Sequence, residues 1–199
     1  MSGIGAQLAG LSAETRDAIR PLLSVRAFAP GEHLLRGGDR ARWCYVLESG
    51  LVRELYIGAD GRELTRAFVT EGHATGSLLD LLSGGPAVTW IEVIEPTVAT
   101  AVGWAELDAL AGRHPDLQRL LRRVAEALYV RKARREYEML ALTATERYDR
   151  WIAEFPGVDA RVRRRHVASY LGVTPEFVSR LRQRRRPNAH PTSASATTK

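Results

Sequence analysis

The sequence predicts an α+β chain: an all-β N-terminal half of short strands, then one long helix, then a helix-turn-helix. Three observations predict it. Between Val25 and about Gly103, short apolar segments are broken by glycine turns roughly every eleven residues, the texture of a sandwich or barrel. His114–Leu142 contains no glycine and only Pro115, which suits the first turn of a helix. Arg163–Arg186, RRRHVASYLGVTPEFVSRLRQRRR, reads as two short helices about a glycine turn.

The elements follow in chain order. Leu11–Ser24 carries Leu11, Ile19, Leu22 and Leu23 behind a Ser12 start signal, predicting a short helix. Cys44–Glu48, Leu51–Ile57, Glu63–Val69, Val88–Ile94 and Thr97–Val102 have strand length and β-branched or aromatic content, with Asp60-Gly61 as a hairpin turn. In the long helix, Leu117, Leu121, Val124 and Leu128 have the 4-3-4 spacing of a two-helix coiled-coil seam, which turns charged at Arg131 and Arg135. These four are the candidate dimerisation residues. Thr143–Phe155 is the next helix, with Thr143 and Glu146 forming a capping box and Tyr148, Trp151, Ile152 and Phe155 an apolar face.

The last segment is the most informative. Its first helix, Arg165–Leu171, buries Val167, Ala168 and Leu171; Gly172 takes the positive φ that ends it, and Val173 plugs the turn. Thr174 caps a second helix begun by Pro175, which turns Phe177, Val178 and Leu181 inward and Glu176, Ser179, Arg180 and Gln183 outward. The outer face can hydrogen-bond base edges and phosphates of duplex DNA. Charge agrees: from Arg161 to Arg186 the arginines 161, 163–165, 180, 182 and 184–186 face one acid, Glu176, giving +8 in a chain of net +6. The basicity is therefore local, as in a DNA-binding domain beside a neutral one. Pro187–Lys199, PNAHPTSASATTK, is low-complexity and expected to be a disordered tail.

Composition narrows the classes further. An apolar fraction of 45% with 26% charged residues is that of a soluble globular protein. No apolar run nears the ~20 residues of a membrane span, and the N-terminus lacks a secretion signal, so the expected setting is the cytoplasm. With one cysteine, Cys44, no disulfide within the chain and no cysteine-held zinc or iron–sulfur site from one protomer is possible. No cofactor is expected. His33, His73 and His114 stand apart from one another and read as ordinary packed or surface residues. No paired carboxylates, nucleophile–base set or phosphate loop is present, so an enzyme is not expected.

Pro30-Gly31-Glu32-His33-Leu34-Leu35-Arg36-Gly37-Gly38-Asp39, followed by Tyr45–Arg53, resembles the cyclic-nucleotide-binding β-roll. With the helix-turn-helix, the order of parts over residues 10–186 resembles the Crp/Fnr family of bacterial transcription regulators. The resemblance implies a double-stranded β-helix or jelly-roll at 10–112, a dimerisation helix at 113–142 and a helix-turn-helix domain at 143–186; this sequence departs from the family in lacking an evident wing, with the low-complexity tail at 187–199 in its place. It also implies double-stranded DNA, a second copy, RNA polymerase and a small-molecule effector as partners, and no membrane.

In relatives that bind cyclic nucleotides, a glycine-glutamate pair and an arginine followed by a hydroxyl residue hold the ribose and the phosphate. Here Gly76 matches the glycine, but Ser77 stands for the glutamate, before Leu78. Ala87-Val88 stands where the arginine pair belongs, and shifting by one residue brings in only Thr89. No Arg or Lys occurs from Glu71 to Gly112, and Lys132-Ala133 lies near the family's base-contacting hydroxyls. A buried phosphodiester would lack a cation, so this degenerate pocket is expected not to answer to cyclic AMP. The family's pattern makes Glu176, Ser179 and Arg180 the base-reading positions, with Arg180 for guanine and Glu176 for cytosine. Thr174, Arg182, Arg184, Arg164 and Arg165 are then phosphate contacts. The expected function is a sequence-specific DNA-binding regulator; the alternative is a ligand-sensing β-roll acting through protein partners.

Overall fold

The computed structural model describes residues 4–185 and divides after Leu142 into two compact units. The expected tail and Arg186 lie outside the described residues.

The first unit is a jelly roll. After α1 (Ile4–Leu8) and α2 (Ala13–Ile19) come β1 (Ser24–Phe28), β2 (His33–Leu35), β3 (Trp43–Ser49), β4 (Leu51–Ile57), β5 (Glu63–Thr70) and β6 (Ala74–Thr75). Then follow α3 (Leu78–Ser83), β7 (Trp90–Val93), β8 (Thr97–Gly103), α4 (Trp104–Ala111) and α5 (Pro115–Ala141). The strands form two antiparallel four-stranded sheets, ordered β1-β8-β3-β6 and β2-β7-β4-β5. Leu47 from one sheet and Val52, Val69, Ile91 and Val93 from the other pack as one cluster, because period-two alternation sends these side chains to the inner faces. Arg53 is 1% exposed; it is satisfied across the sheet by Glu92, by Glu63 at 2.7 Å and by Thr65 at 3.3 Å.

The roll departs from the sequence expectation at its base. Ser12 does cap α2, accepting from the Thr15 amide, but the helix stops at Ile19 and passes through a short 3-10 turn, and Ser24 already begins β1. Pro21 lacks the amide that a longer helix would need. The helix α4 was not foreseen; its Leu107, Leu110 and Ala111 join Leu11, Ile19 and Leu117 in a second apolar cluster. Asp116 fastens the first turn of α5 to the start of α2, accepting from the Ser12 amide and the Thr15 hydroxyl at 2.8 Å each. These donors hold its carboxyl well below the ordinary range.

The second unit is helical: α6 (Ala144–Glu154), α7 (Val158–Arg161), α8 (Arg164–Leu171) and α9 (Pro175–Arg185). The capping box forms as its spacing predicts, Thr143 accepting from the Glu146 amide while the Glu146 carboxylate accepts from Thr143. Tyr148 and Trp151 of α6 are buried, with Trp151 5.9 Å from the Tyr170 ring. Val167, Leu171, Val178 and Leu181 complete this core.

Candidate nucleic-acid interface and effector cavity

The turn between α8 and α9 is built by local chemistry. Gly172 sits at φ 69° and ψ 37°, left-handed space that costs a side chain roughly 1–2 kcal/mol, and the Val173 amide donates back to the Ala168 carbonyl at 3.0 Å. The Thr174 hydroxyl accepts from the Phe177 amide at 3.3 Å and so starts α9. Val178 and Leu181 are buried beneath it, whereas Phe177, expected to face inward, is only half-buried, with the Arg180 guanidinium 5.3 Å above its ring.

The outer face gathers Thr174, Glu176 and Arg180, all exposed, with Ser179 half-buried beside them. Arg164, from the first turn of α8, donates to the Ser179 hydroxyl, so the two helices share one polar surface. The backbone amide and the Thr174 hydroxyl, helped by the Arg164 and Arg180 charges, hold the Glu176 carboxyl below its ordinary value. It is an acceptor at neutral pH. Arg184 is exposed and has no hydrogen bond to a described residue, while Arg165 donates to the His166 ring at 2.8 Å. Arg185 is paired with Asp149 at 2.6 Å.

Arg182, expected to meet a phosphate, is engaged within its own unit. Its guanidinium grips both carboxylate oxygens of Asp159, at 2.8 to 3.1 Å, and donates to the Asp159 and Val162 carbonyls. Four acceptors within the unit therefore hold the group assigned to a phosphate. The Tyr148 hydroxyl donates to the same carboxylate at 3.1 Å, and burial with the Asp159 charge pushes its pKa up to about 12. Arg182 ties α9 to α7 and so sets the pose of α9.

The first unit contains a cavity of about 850 Å³ between the roll and α5. Of the six pocket residues expected from sequence, only Gly76 and Leu78 line it. Gly76, at φ 137°, lies where a Cβ would come within 3.1 Å of the Trp43 carbonyl. Ser77 faces away from the cavity, capping α3 and exchanging a 2.9 Å hydrogen bond with the Thr89 hydroxyl. Ala87, Val88 and Thr89 form the strip beside it, and that strip is held by a residue the sequence reading missed. Asp80, 2% exposed, accepts from the amides of Val88 at 3.0 Å and Thr89 at 3.2 Å. Burial opposes its charge, but the bonds from Ser77, Val88 and Thr89 outweigh it and hold the carboxyl below its ordinary value. The cassette thus carries an anion of its own. The signal in the sequence was the spacing Ser77-x-x-Asp80, a helix start with an acid in its first turn.

Cations do reach the cavity, from elements outside residues 71–112: Arg66 on β5, and Arg122, Arg131 and Lys132 on α5. Of the expected dimerisation residues, Leu117 is 1% exposed and spent on its own unit, whereas Leu121, Val124 and Leu128 are half-buried and line the cavity. The exposed large apolar side chains of α5 lie further along, at Tyr129, Val130, Tyr137, Met139 and Leu140. Cys44 also borders the cavity, and burial pushes its thiol up to about 11. Among the described residues, no helix is long and apolar enough to cross a membrane and no group of His, Cys, Asp and Glu could hold a metal ion.

Comparison with known proteins agrees with this architecture. Residues 25–114 match the cyclic nucleotide-binding domain family. The chain is 25% identical over 166 residues to the fumarate and nitrate reduction regulatory protein of Vibrio cholerae, covering 76% of this chain and 64% of the relative. It is 26% identical over 163 residues to the regulatory protein HlyX of Actinobacillus pleuropneumoniae, covering 74% and 65%. The matches thus span slightly less than two thirds of these relatives' own length. Among solved structures, FixK2 from Bradyrhizobium japonicum superposes with a TM-score of 0.72 at 23% identity, covering 81% of this chain and 83% of that one. The jelly roll over residues 25–114 thus matches the cyclic nucleotide-binding domain, and about three quarters of the chain is similar to bacterial regulatory proteins.

Proposed function

We propose that the chain is a sequence-specific DNA-binding transcription regulator of the bacterial cytoplasm, acting as a homodimer through α5 and not switched by cyclic AMP. The observation that carries this reading is the outer face of α9. Glu176, Ser179 and Arg180 stand on one capped helix with Arg164 beside them, while Asp159 and Arg182 fix that helix from behind. Arg180 has the reach and fork geometry for a guanine edge, Glu176 accepts from cytosine, and Thr174, Arg164, Arg165 and Arg184 meet phosphates. The names of the two curated relatives, both regulators, support the same activity here. RNA polymerase is the further partner this activity requires.

Independence from cyclic AMP rests on Asp80. The amides of Val88 and Thr89 are committed to an internal carboxylate, and a cyclic phosphate placed against them meets a like charge. Two measurements test the proposal. Selection of duplexes from a random pool will return a two-half-site sequence bound in a salt-sensitive way, and recovery of no preferred sequence refutes it. Calorimetry with cyclic AMP will show no binding in the micromolar range; affinity at that level overturns the reading of the cassette.

A further inference from the structure

The cavity of the first unit is apolar along most of its wall but contains one charged pair. Arg66 reaches in from β5 with its Nε 3.6 Å from the Glu54 carboxylate, whose other oxygen accepts from the Thr75 hydroxyl at 2.8 Å. Glu54 is nearly sealed, its side chain 4% exposed, whereas Arg66 is 30% exposed. Among the described residues, Glu54 and the Tyr56 ring are the only polar or aromatic partners of this guanidinium, which leaves its terminal nitrogens directed to no protein acceptor. The pair is thus asymmetric, with the anion satisfied and enclosed and the cation accessible.

The rest of the lining has the same bias. Four cations, Arg66, Arg122, Arg131 and Lys132, border the cavity against two carboxylates, Glu54 and Asp108. Arg122 is answered by Glu126 on its own helix, while Arg131 and Lys132 make no ion pair with a described residue. Along α5 the wall runs from Leu117 to Lys132, which at the helical rise is ~22 Å. Its first turns contribute Leu117, Leu120, Leu121 and Val124, and its last contribute Arg131 and Lys132. Leu78 and Leu82 of α3 and Trp104 of α4 continue the apolar wall.

We propose that this cavity binds a free amphipathic organic anion, an apolar chain or ring system ending in a carboxylate, with the carboxylate on Arg66 and the apolar body along α3, α4 and the first turns of α5. The inference rests on reading the first unit as an effector-sensing module, and it supplies the chemical class of that effector. A volume of about 850 Å³ suits a small molecule of this kind. A guanidinium offers a carboxylate two parallel hydrogen bonds, and the apolar wall supplies the remaining affinity. The occupied amides beside Asp80 turn away a phosphate bound in the family's manner but lie off this cavity, so they do not oppose a carboxylate at Arg66.

The test uses the full chain without DNA and dodecanoate as probe, below its micelle-forming concentration. 1-Dodecanol and dodecyltrimethylammonium serve as neutral and cationic partners of equal length, with binding read by equilibrium dialysis. Saturable binding of dodecanoate, about tenfold or more tighter than dodecanol, is expected. Arg66→Met will remove that preference while leaving dodecanol unchanged, and Arg66→Lys will restore part of it. Far-UV circular dichroism and melting confirm that each variant is folded. Equal binding of dodecanoate and dodecanol overturns the proposal, as does tighter binding of the ammonium or an Arg66→Met variant with unaltered carboxylate affinity. Sedimentation of the chain with phosphatidylglycerol vesicles would assign the cations to a membrane surface, and loss of dodecanoate binding on dimerisation would assign the cavity to a second copy; either result overturns it. Duplex selection reads the second unit, so the two proposals fail separately.

Discussion

Replacing Asp80 with alanine strikes the one residue that holds α3 against the strip before β7. The carboxylate accepts from the Val88 and Thr89 amides at 3.0 and 3.2 Å; Asp80 and Thr89 are buried, whereas Val88 is 56% exposed. Orphaning the buried Thr89 amide costs roughly 1–3 kcal/mol and losing the Val88 bond about 1 kcal/mol, giving about 3 kcal/mol for the two. For a unit of this size 1 kcal/mol moves the melting temperature by about 2–4 °C, so the first transition in a calorimetric scan drops by about 9 °C at pH 7. Asp80→Asn, which keeps one acceptor and turns an NH₂ toward the other amide, falls between the variant and the parent. The pH dependence has a definite sign. The folded carboxyl titrates below its unfolded value of 3.8, so its contribution is fully present above that value and is lost as pH falls through the lowered one. The gap between parent and Asp80→Ala is therefore widest near neutrality and closes in acid. A melting difference under about 2 °C at pH 7, or a gap that stays constant into acid, refutes the reasoning.

Other expectations follow from the same geometry. Asp159→Ala strips Arg182 and Tyr148 of a shared acceptor at a site about a quarter exposed, so the second unit loses roughly 2 kcal/mol by thermal melting and DNA binding weakens alike for every sequence. Arg180→Ala costs about 1–3 kcal/mol of binding and relaxes preference at one base step; uniform weakening in gel-shift titrations would reassign it to the backbone. Val130→Glu together with Tyr137→Glu places charge on the exposed apolar part of α5, and light scattering will show the mass per particle halved. Cys44, with its thiol at about 11 against an ordinary 9.0, will be alkylated at pH 8 about a hundredfold more slowly than a free cysteine, measured by mass spectrometry.

What was legible in the sequence was what short-range chemistry writes there. Gly172, Thr174-Pro175 and the Thr143–Glu146 box each act within four residues, and each holds in the structure as its spacing predicts. The β-branched and aromatic content of Leu51–Ile57 and Glu63–Val69 marked β4 and β5 by the same short-range logic. What failed depends on groups far apart in the chain. The partner of Arg182 lies 23 residues upstream on a one-turn helix with no sequence signature of its own. The cavity's cations come from β5 and α5, on either side of residues 71–112, because the roll folds those elements over the same space. Leu117 has seam spacing, yet it packs within its own unit, clustered with Leu11, Ile19, Leu107 and Leu110. Spacing assigns a residue to a face; only tertiary structure says which neighbour that face meets.

The contacts of α9 bear on how such proteins can be re-engineered. Ser179 takes a hydrogen bond from Arg164, on a different helix, and the helix is steered by Asp159, outside the motif altogether. On the proposed reading of α9 as the helix that meets DNA, its pose is set by three segments of chain. Transplanting a relative's α9 alone would then import positions 176, 179 and 180 while leaving behind the residues that orient them. Grafts that carry positions 159 and 164 along with the helix are the ones in which the proposed specificity is expected to transfer whole, so the unit to graft is α7 through α9.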